Sequence, residues 1–229
     1  MNRTKNRSVI RVKHSTDLKR RVVAGYHCPL GLTERAPVQE FLASTIIIDW
    51  EHPDVLSRAR ALAEGGNSVE VVARRCFEWV REEIKHSRDY QLQAVTCAAS
   101  EVLHVGSGYC YAKSHLLAAL LRANGIPAGL CYQRLSRDDN GPPFCLHGLN
   151  AVLLPGVGWY RIDARGNRAD INAQFVPPVE QLAFPIRLPG EADFSEILAE
   201  PLPAVVDALQ SHSTADALWA HLPDVAPQT

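Results

Sequence analysis

Apolar residues recur at three- and four-residue steps through Val69, Val72, Ala73, Cys76, Phe77, Val80 and Ile84, which is one face of a helix over about residues 68–85. Asn67-x-x-Glu70 has the form of a capping box at its start, and Cys76 falls on the stripe as a small core side chain. A second helical pattern runs from Tyr109 to Asn124, with Leu117, Leu120 and Leu121 on its apolar face and Asn124-Gly125, then Pro127, as its stop. A shorter helix is expected over 54–63, ended by Gly65-Gly66. Ser44 to Trp50, with three consecutive isoleucines before Glu51-His52-Pro53, predicts a buried strand. Gly129–Leu135, His147–Leu154 and Gly158–Asp163 also predict strands, the last two separated by Pro155-Gly156-Val157. The segment 86–103 fits neither period.

A helix followed by antiparallel strands argues an α+β fold. After Arg168 the chain is punctuated by Pro177-Pro178, Pro185, Pro189, Pro201 and Pro203, before two short helices expected near 204–209 and 215–221. The organisation reads as a basic arm (1–21), a central domain (22–168), and a proline-rich extension (169–229) packed on that same domain.

Composition narrows the function classes. The chain has 229 residues, 46% hydrophobic and 21% charged, enough for one substantial core and incompatible with disorder throughout. Its 24 Lys and Arg nearly balance 25 Asp and Glu, so the net charge of −1 supplies no field for nucleic acid or an acidic membrane. Apolar stretches are far shorter than the roughly 20 residues of a membrane span. The arm (Arg3, Lys5, Arg7, Arg11, Lys13, Lys19, Arg20, Arg21) is followed by no apolar h-region, so a cytoplasmic location is expected. Six cysteines without a CxxC pair or zinc-ligand spacing are expected to be reduced thiols, with no metal or organic cofactor.

Cys110 stands apart from the other five. Gly106-Ser107-Gly108-Tyr109 allows a tight turn before it, and a helix begins at or near it. Free N–H groups and the positive end of a helix dipole stabilise a thiolate there, and the same groups can hold an oxyanion. Packing as an ordinary helix-start cysteine is the alternative.

A nucleophilic thiol needs a base, and the base needs an orienting acceptor. His147 opens one predicted strand and Asp163 closes the next, so a hairpin brings them together at its open end. They share a face when the connecting loop has three or five residues and oppose each other when it has two or four.

Other side chains weigh less. His115 lies about 140° around the helix from Cys110 and should point away from it. His104 precedes the glycine turn and reads as structural. His14, His27, His52, His86, His212 and His221 have no organised partners in sequence. Cys131 and Cys145 flank a polar loop, where two buried thiols are favoured over a disulfide. Trp159 and Tyr160 read as hairpin core, and the loop Arg137-Asp138-Asp139-Asn140-Gly141 as a solvated turn placed to reach a cleft.

These residues resemble the transglutaminase-like superfamily: Gly108-Tyr109-Cys110 leading into the run Leu116 to Ala128, then His147, then Gly158-Trp159-Tyr160-Arg161-Ile162-Asp163. The resemblance spans about residues 68–165. It implies a papain-like α+β fold in which the nucleophile helix packs against an antiparallel sheet, with Cys110 as nucleophile, His147 as general base and acid, and Asp163 orienting it. Two departures stand out: His147-Gly148-Leu149 where His-Ala-Trp is frequent, and Asp163-Ala164-Arg165 where Asp-Pro-Thr is usual. Gln91, Gln93 and Gln133 are candidate oxyanion donors by residue type.

The implied activity is thiol-dependent acyl chemistry on amides through a thioester, as a cysteine protease or amidase (hydrolase) or as a glutaminyl transferase. Its partner would be a peptide or protein carrying a side-chain or backbone amide. An arylamine N-acetyltransferase-like acyltransferase and a catalytically silent binding module are the alternatives. Oligomeric state is open.

Overall fold

The computed structural model describes residues 31–226; the basic arm, His14, His27 and Cys28 lie outside the described residues. The chain enters through β1 (Thr33–Glu34) and a 3-10 turn at Glu40–Leu42 that buries Phe41.

The isoleucine run then departs from the expected strand, being a bend. Thr45 and Ile48 bond each other, Thr45 N–H donating to the Ile48 carbonyl at 3.2 Å and Ile48 N–H to Thr45 Oγ1 at 3.1 Å. With their backbone groups satisfied locally, these residues join no ladder: Ile48 is buried while Ile46 is 88% exposed.

Helix α1 (Pro53–Ala63) starts with proline at its first position. Helix α2 (Val69–Glu83) carries the expected apolar face, but its cap is Ser68, whose Oγ accepts from Val71 N–H at 3.2 Å, rather than Asn67. The ambiguous stretch resolves into β2 (Lys85–His86), α3 (Ala99–Val105) and β3 (Ser107–Gly108), with β2 and β3 paired in parallel. Gly106, at φ +72°, ends α3 in the left-handed region.

Helix α4 (Cys110–Ala123) packs against α1, α2 and α3 on one side and the sheet on the other. Residues 110 to 122 are all buried, so the helix has no solvent face and its leucines are one part of an all-round core. Its polar members reach carbonyls: Lys113 donates to the Ile84 carbonyl, His115 Nδ1 lies 2.8 Å from the Cys97 carbonyl, and Arg122 donates to those of Ala128, Ala43 and Ala199.

The sheet is built from β4 (Ala128–Ser136), β5 (Phe144–Leu154) and β6 (Gly158–Ile162), all antiparallel. The extension adds a hairpin of β7 (Gln174–Val176) and β8 (Val179–Gln181). Strand β9 (Ala192–Asp193) then pairs with β4, giving the order β6-β5-β4-β9, and β10 (Glu196–Ile197) runs parallel to β1. Helices α5 (Pro203–Ser211) and α6 (Ala215–Ala220) end the described chain.

Both sheet faces are covered, which explains why these strands read as continuous apolar runs. Leu130, Tyr132, Leu146, Val152 and Ile162 join the α4 core, whereas Cys131, Leu149, Ala151, Leu153 and Trp159 pack with Phe41, Ile197 and Ala199. The mixed architecture with its antiparallel sheet is the α+β fold the sequence predicts.

Candidate active site

The tip of α4 meets β5 at Gly148. A Cβ there would lie 2.9 Å from Tyr111 Cδ1 and 3.1 Å from Tyr111 Cα, so only glycine permits this approach. The Tyr111 hydroxyl donates to the Leu146 carbonyl, tying helix to strand on the other side of the contact. Between these anchors the Cys110 sulfur accepts from Gly148 N–H at 3.5 Å. The amides of Cys110, Tyr111 and Ala112 have no carbonyl partner among the described residues, Lys113 N–H being the first to find one, on Tyr109.

The β5–β6 register answers the parity question. Leu154 faces Gly158 across a three-residue loop and Asn150 faces Ile162, so one step further along the ladder Asp163 and His147 are diagonal neighbours on one face. His147 Nε2 lies 2.7 Å from Asp163 Oδ2. Asp163 also accepts from the backbone N–H groups of Arg165 and Ala183, both at 3.1 Å.

Burial alone would depress the His147 imidazolium, but the Asp163 carboxylate, the adjacent Cys110 sulfur and its hydrogen bonds to both outweigh it and raise the pKa to about 10. Burial pushes Asp163 the other way, yet the His147 charge and the three hydrogen bonds hold its carboxyl below the usual range. With Nε2 committed to Asp163, Nδ1 is the ring nitrogen left for the sulfur.

These groups open on a cleft of about 430 Å³. One wall is the turn after β8: Phe184 meets the His147 ring edge-on at 5.0 Å, with Arg165 over its other side at 5.5 Å. The opposite wall is the loop at Ser136, Arg137 and Asp139 together with Trp219 and Leu222 at the chain's end. Arg165 in turn is held by Asp89 through contacts of 2.6 and 2.9 Å. A second cavity of about 470 Å³ lies behind Arg165, beside Lys113, and does not reach Cys110. Burial, aided by the Arg165 charge, lowers the Lys113 pKa to about 7 despite Asp163 and Asp89 nearby.

Cys110, His147 and Asp163 are thus brought together, and the Arg137 loop does reach the cleft. The glutamines do not serve: Gln91 and Gln93 lie outside the cleft, Gln93 bonding Asp216, and Gln133 spends its amide on Asp193 and the Phe184 carbonyl. His115 turns away from the thiol as its helical angle requires. His104 is exposed at the end of α3 rather than structural.

A disulfide between Cys131 and Cys145 is ruled out by register, since they pair with Leu149 and Leu135, four rungs apart, or about 13 Å along the strand. Burial pushes the thiols of Cys76, Cys97 and Cys145 up to about 12, 11 and 12. Trp159 and Tyr160 are buried core residues.

Sequence reasoning missed His86, Arg165, Phe184 and Trp219. His86, whose ring is 5.5 Å from that of Tyr109, is held neutral by burial and by the Arg165 charge. Only Arg165, two places after Asp163 where the family pattern usually has threonine, left a trace in the motif. Among the described residues no group of three His, Cys, Asp or Glu side chains is arranged to hold a metal ion, and no helix is long and apolar enough to cross a membrane.

Residues 57–164 match the transglutaminase-like superfamily, core region. Among solved structures, a candidate cysteine protease from Cytophaga hutchinsonii is similar at 20% identity and a TM-score of 0.46 over 56% of this chain and 42% of that one. The periplasmic domain of TgpA from Pseudomonas aeruginosa is similar at 18% identity and a TM-score of 0.41, over 57% of this chain and 48% of that one. The chain therefore spans less than half the length of either. No curated protein matches it.

Proposed function

We propose, from the match of residues 57–164 to the transglutaminase-like superfamily, that this chain is a thiol enzyme acting on amide bonds of peptides or proteins. Cys110 is its nucleophile, His147 its general base and acid, and Asp163 its orienting carboxylate. The observation that carries the reading is a buried His147–Asp163 contact of 2.7 Å beside a cleft-lining sulfur seated at a helix start.

Cys110 sulfur attacks the substrate carbonyl, and the oxyanion is met by the unpaired amides of the first turn of α4. The His147 imidazolium gives its proton to the leaving amine as the C–N bond breaks, leaving a thioester. His147, now neutral, takes a proton from water, whose oxygen attacks the thioester; the acid departs and the sulfur is restored. Asp163 keeps the ring in register throughout, and its carboxylate compensates the imidazolium.

Water is the acceptor we favour. An amine acceptor needs a second approach to the thioester, and the cavity behind Arg165 does not open on Cys110. The test is intact-protein mass spectrometry after iodoacetamide and after blocked glutaminyl peptides, with and without a primary amine. The wild type should gain one adduct on Cys110 and release ammonia or peptide fragments, and Cys110→Ala should do neither. Turnover by Cys110→Ala would overturn the assignment, and amine incorporation exceeding hydrolysis would reassign the acceptor.

A further inference from the structure

We infer that the cleft selects substrates carrying a carboxylate, bound by the Arg137 guanidinium; the inference deepens the thiol-enzyme reading and rests on it. The cleft is lined by five arginines, at 88, 137, 165, 168 and 187, against three acids, Asp139, Asp170 and Glu191. Most of that charge is already spent. Arg165 is held by Asp89, Arg168 by Asp89 and Asp170, and Arg88 lies 3.6 Å from Asp216. Glu191 accepts from the backbone amides of Ser136, Arg187 and Leu188, so its oxygens are occupied although the Arg187 charge acts on it.

Arg137 and Arg187 remain without an ion pair among the described residues, and they differ in setting: Arg187 is exposed, whereas Arg137 is half-buried with its Nε shut off from solvent. Its guanidinium is not a free surface group either: it stacks on Trp219 at 4.7 Å, on a ring that Arg88 also covers at 4.5 Å, while the Arg137 backbone N–H donates to the Pro143 carbonyl and closes the base of the loop. A held cation lining the cleft that also holds Cys110 is complementary to one planar anion. A carboxylate entering the cleft satisfies it by accepting from the terminal guanidinium nitrogens. That carboxylate can come from an Asp or Glu side chain or from a free chain terminus.

Alkylation of Cys110 in the full chain reads the site without knowledge of the natural substrate. Iodoacetate carries the carboxylate and iodoacetamide is its neutral counterpart, so the ratio of their rates reports the attraction. In Arg137→Gln the ratio should fall about tenfold, the scale of one charge-assisted hydrogen bond, and Arg137→Lys should recover part of it. Arg60→Gln, outside the cleft, is the control and should leave the ratio alone.

Protection of Cys110 by acetyl-Gln-Glu-amide or by acetyl-Gln-Ala with a free carboxylate then identifies the source, against acetyl-Gln-Ala-amide. A ratio in Arg137→Gln within twofold of wild type, or equal protection by all three peptides, overturns the inference. A wild-type Cys110 that iodoacetamide does not label defeats the thiol-enzyme reading instead.

Discussion

Residues 57–164 and residues 165–226 contribute to one site in different ways. The first segment supplies every group proposed to react: sulfur from the tip of α4, imidazole from β5, carboxylate from the end of β6. The second supplies no reacting atom but shapes what surrounds them. Its Ala183 amide holds Asp163, Phe184 packs on the His147 ring, Trp219 and Leu222 form a wall, and β9 closes the sheet edge. The proposed chemistry rests on a few short contacts within one segment, while the other lines the cleft together with the Arg137 loop of the first.

The comparison can be broken at its strongest point first. Asp163→Asn keeps the shape of the orienting group but loses its charge, and kcat should fall about a thousandfold, as happens when an orienting acid no longer favours the right tautomer. A loss under tenfold would mean that the first segment does not supply the whole chemistry.

Gly148→Ala tests the backbone contact that seats the thiol. Its methyl meets the Tyr111 backbone as well as the ring, so the helix tip must shift, with a destabilisation of about 1–3 kcal/mol by denaturant unfolding. Phe184→Ala sharpens the contrast from the other side: with no reacting atom altered, kcat should fall about tenfold as the His147 ring loses its lateral support. An unchanged kcat with a raised KM would assign the extension to binding alone.

The smallest effect is a slope. His147 is raised to about 10 from an unfolded value near 6.5, so its stabilisation is complete below about pH 6.5 and is lost as pH rises through 10. Lys113 is lowered to about 7 from 10.5, so its penalty is complete below about pH 7 and is relieved toward pH 10.5. The two contributions oppose each other between pH 7 and 10. Melting temperature in that range should therefore rise with pH in His147→Gln and fall in Lys113→Met, with the wild type between them.

How far the sequence could be read follows the same division. Helix α2 was legible from its 3.6-residue period, α4 from its leucines and glycine stop, and the hairpin from Pro155-Gly156-Val157, although the face shared by His147 and Asp163 depended on a register that the sequence left open. These are local patterns with a fixed geometry.

The isoleucine run misled because β-branched composition cannot show that Thr45 and Ile48 satisfy each other's backbone. Ala183 acts through a main-chain N–H and Phe184 through one ring edge, so neither needs a motif and neither has one. His86 and Trp219 reach the cleft only through packing between distant segments. The departures from the family pattern were visible as letters, but their reasons, the Tyr111 approach at Gly148 and the Asp89 pair at Arg165, are three-dimensional.

Arg122 ties distant parts of the chain together. Its guanidinium is buried at the end of α4 and is satisfied by carbonyls of Ala128, Ala43 and Ala199, the latter two 79 and 77 residues away along the chain. Until both remote strands of chain arrive, that charge must keep its water, and the end of the central helix cannot dehydrate. Docking of the extension, through Ala199, is therefore one of the contacts that complete the shell of acceptors around this buried cation.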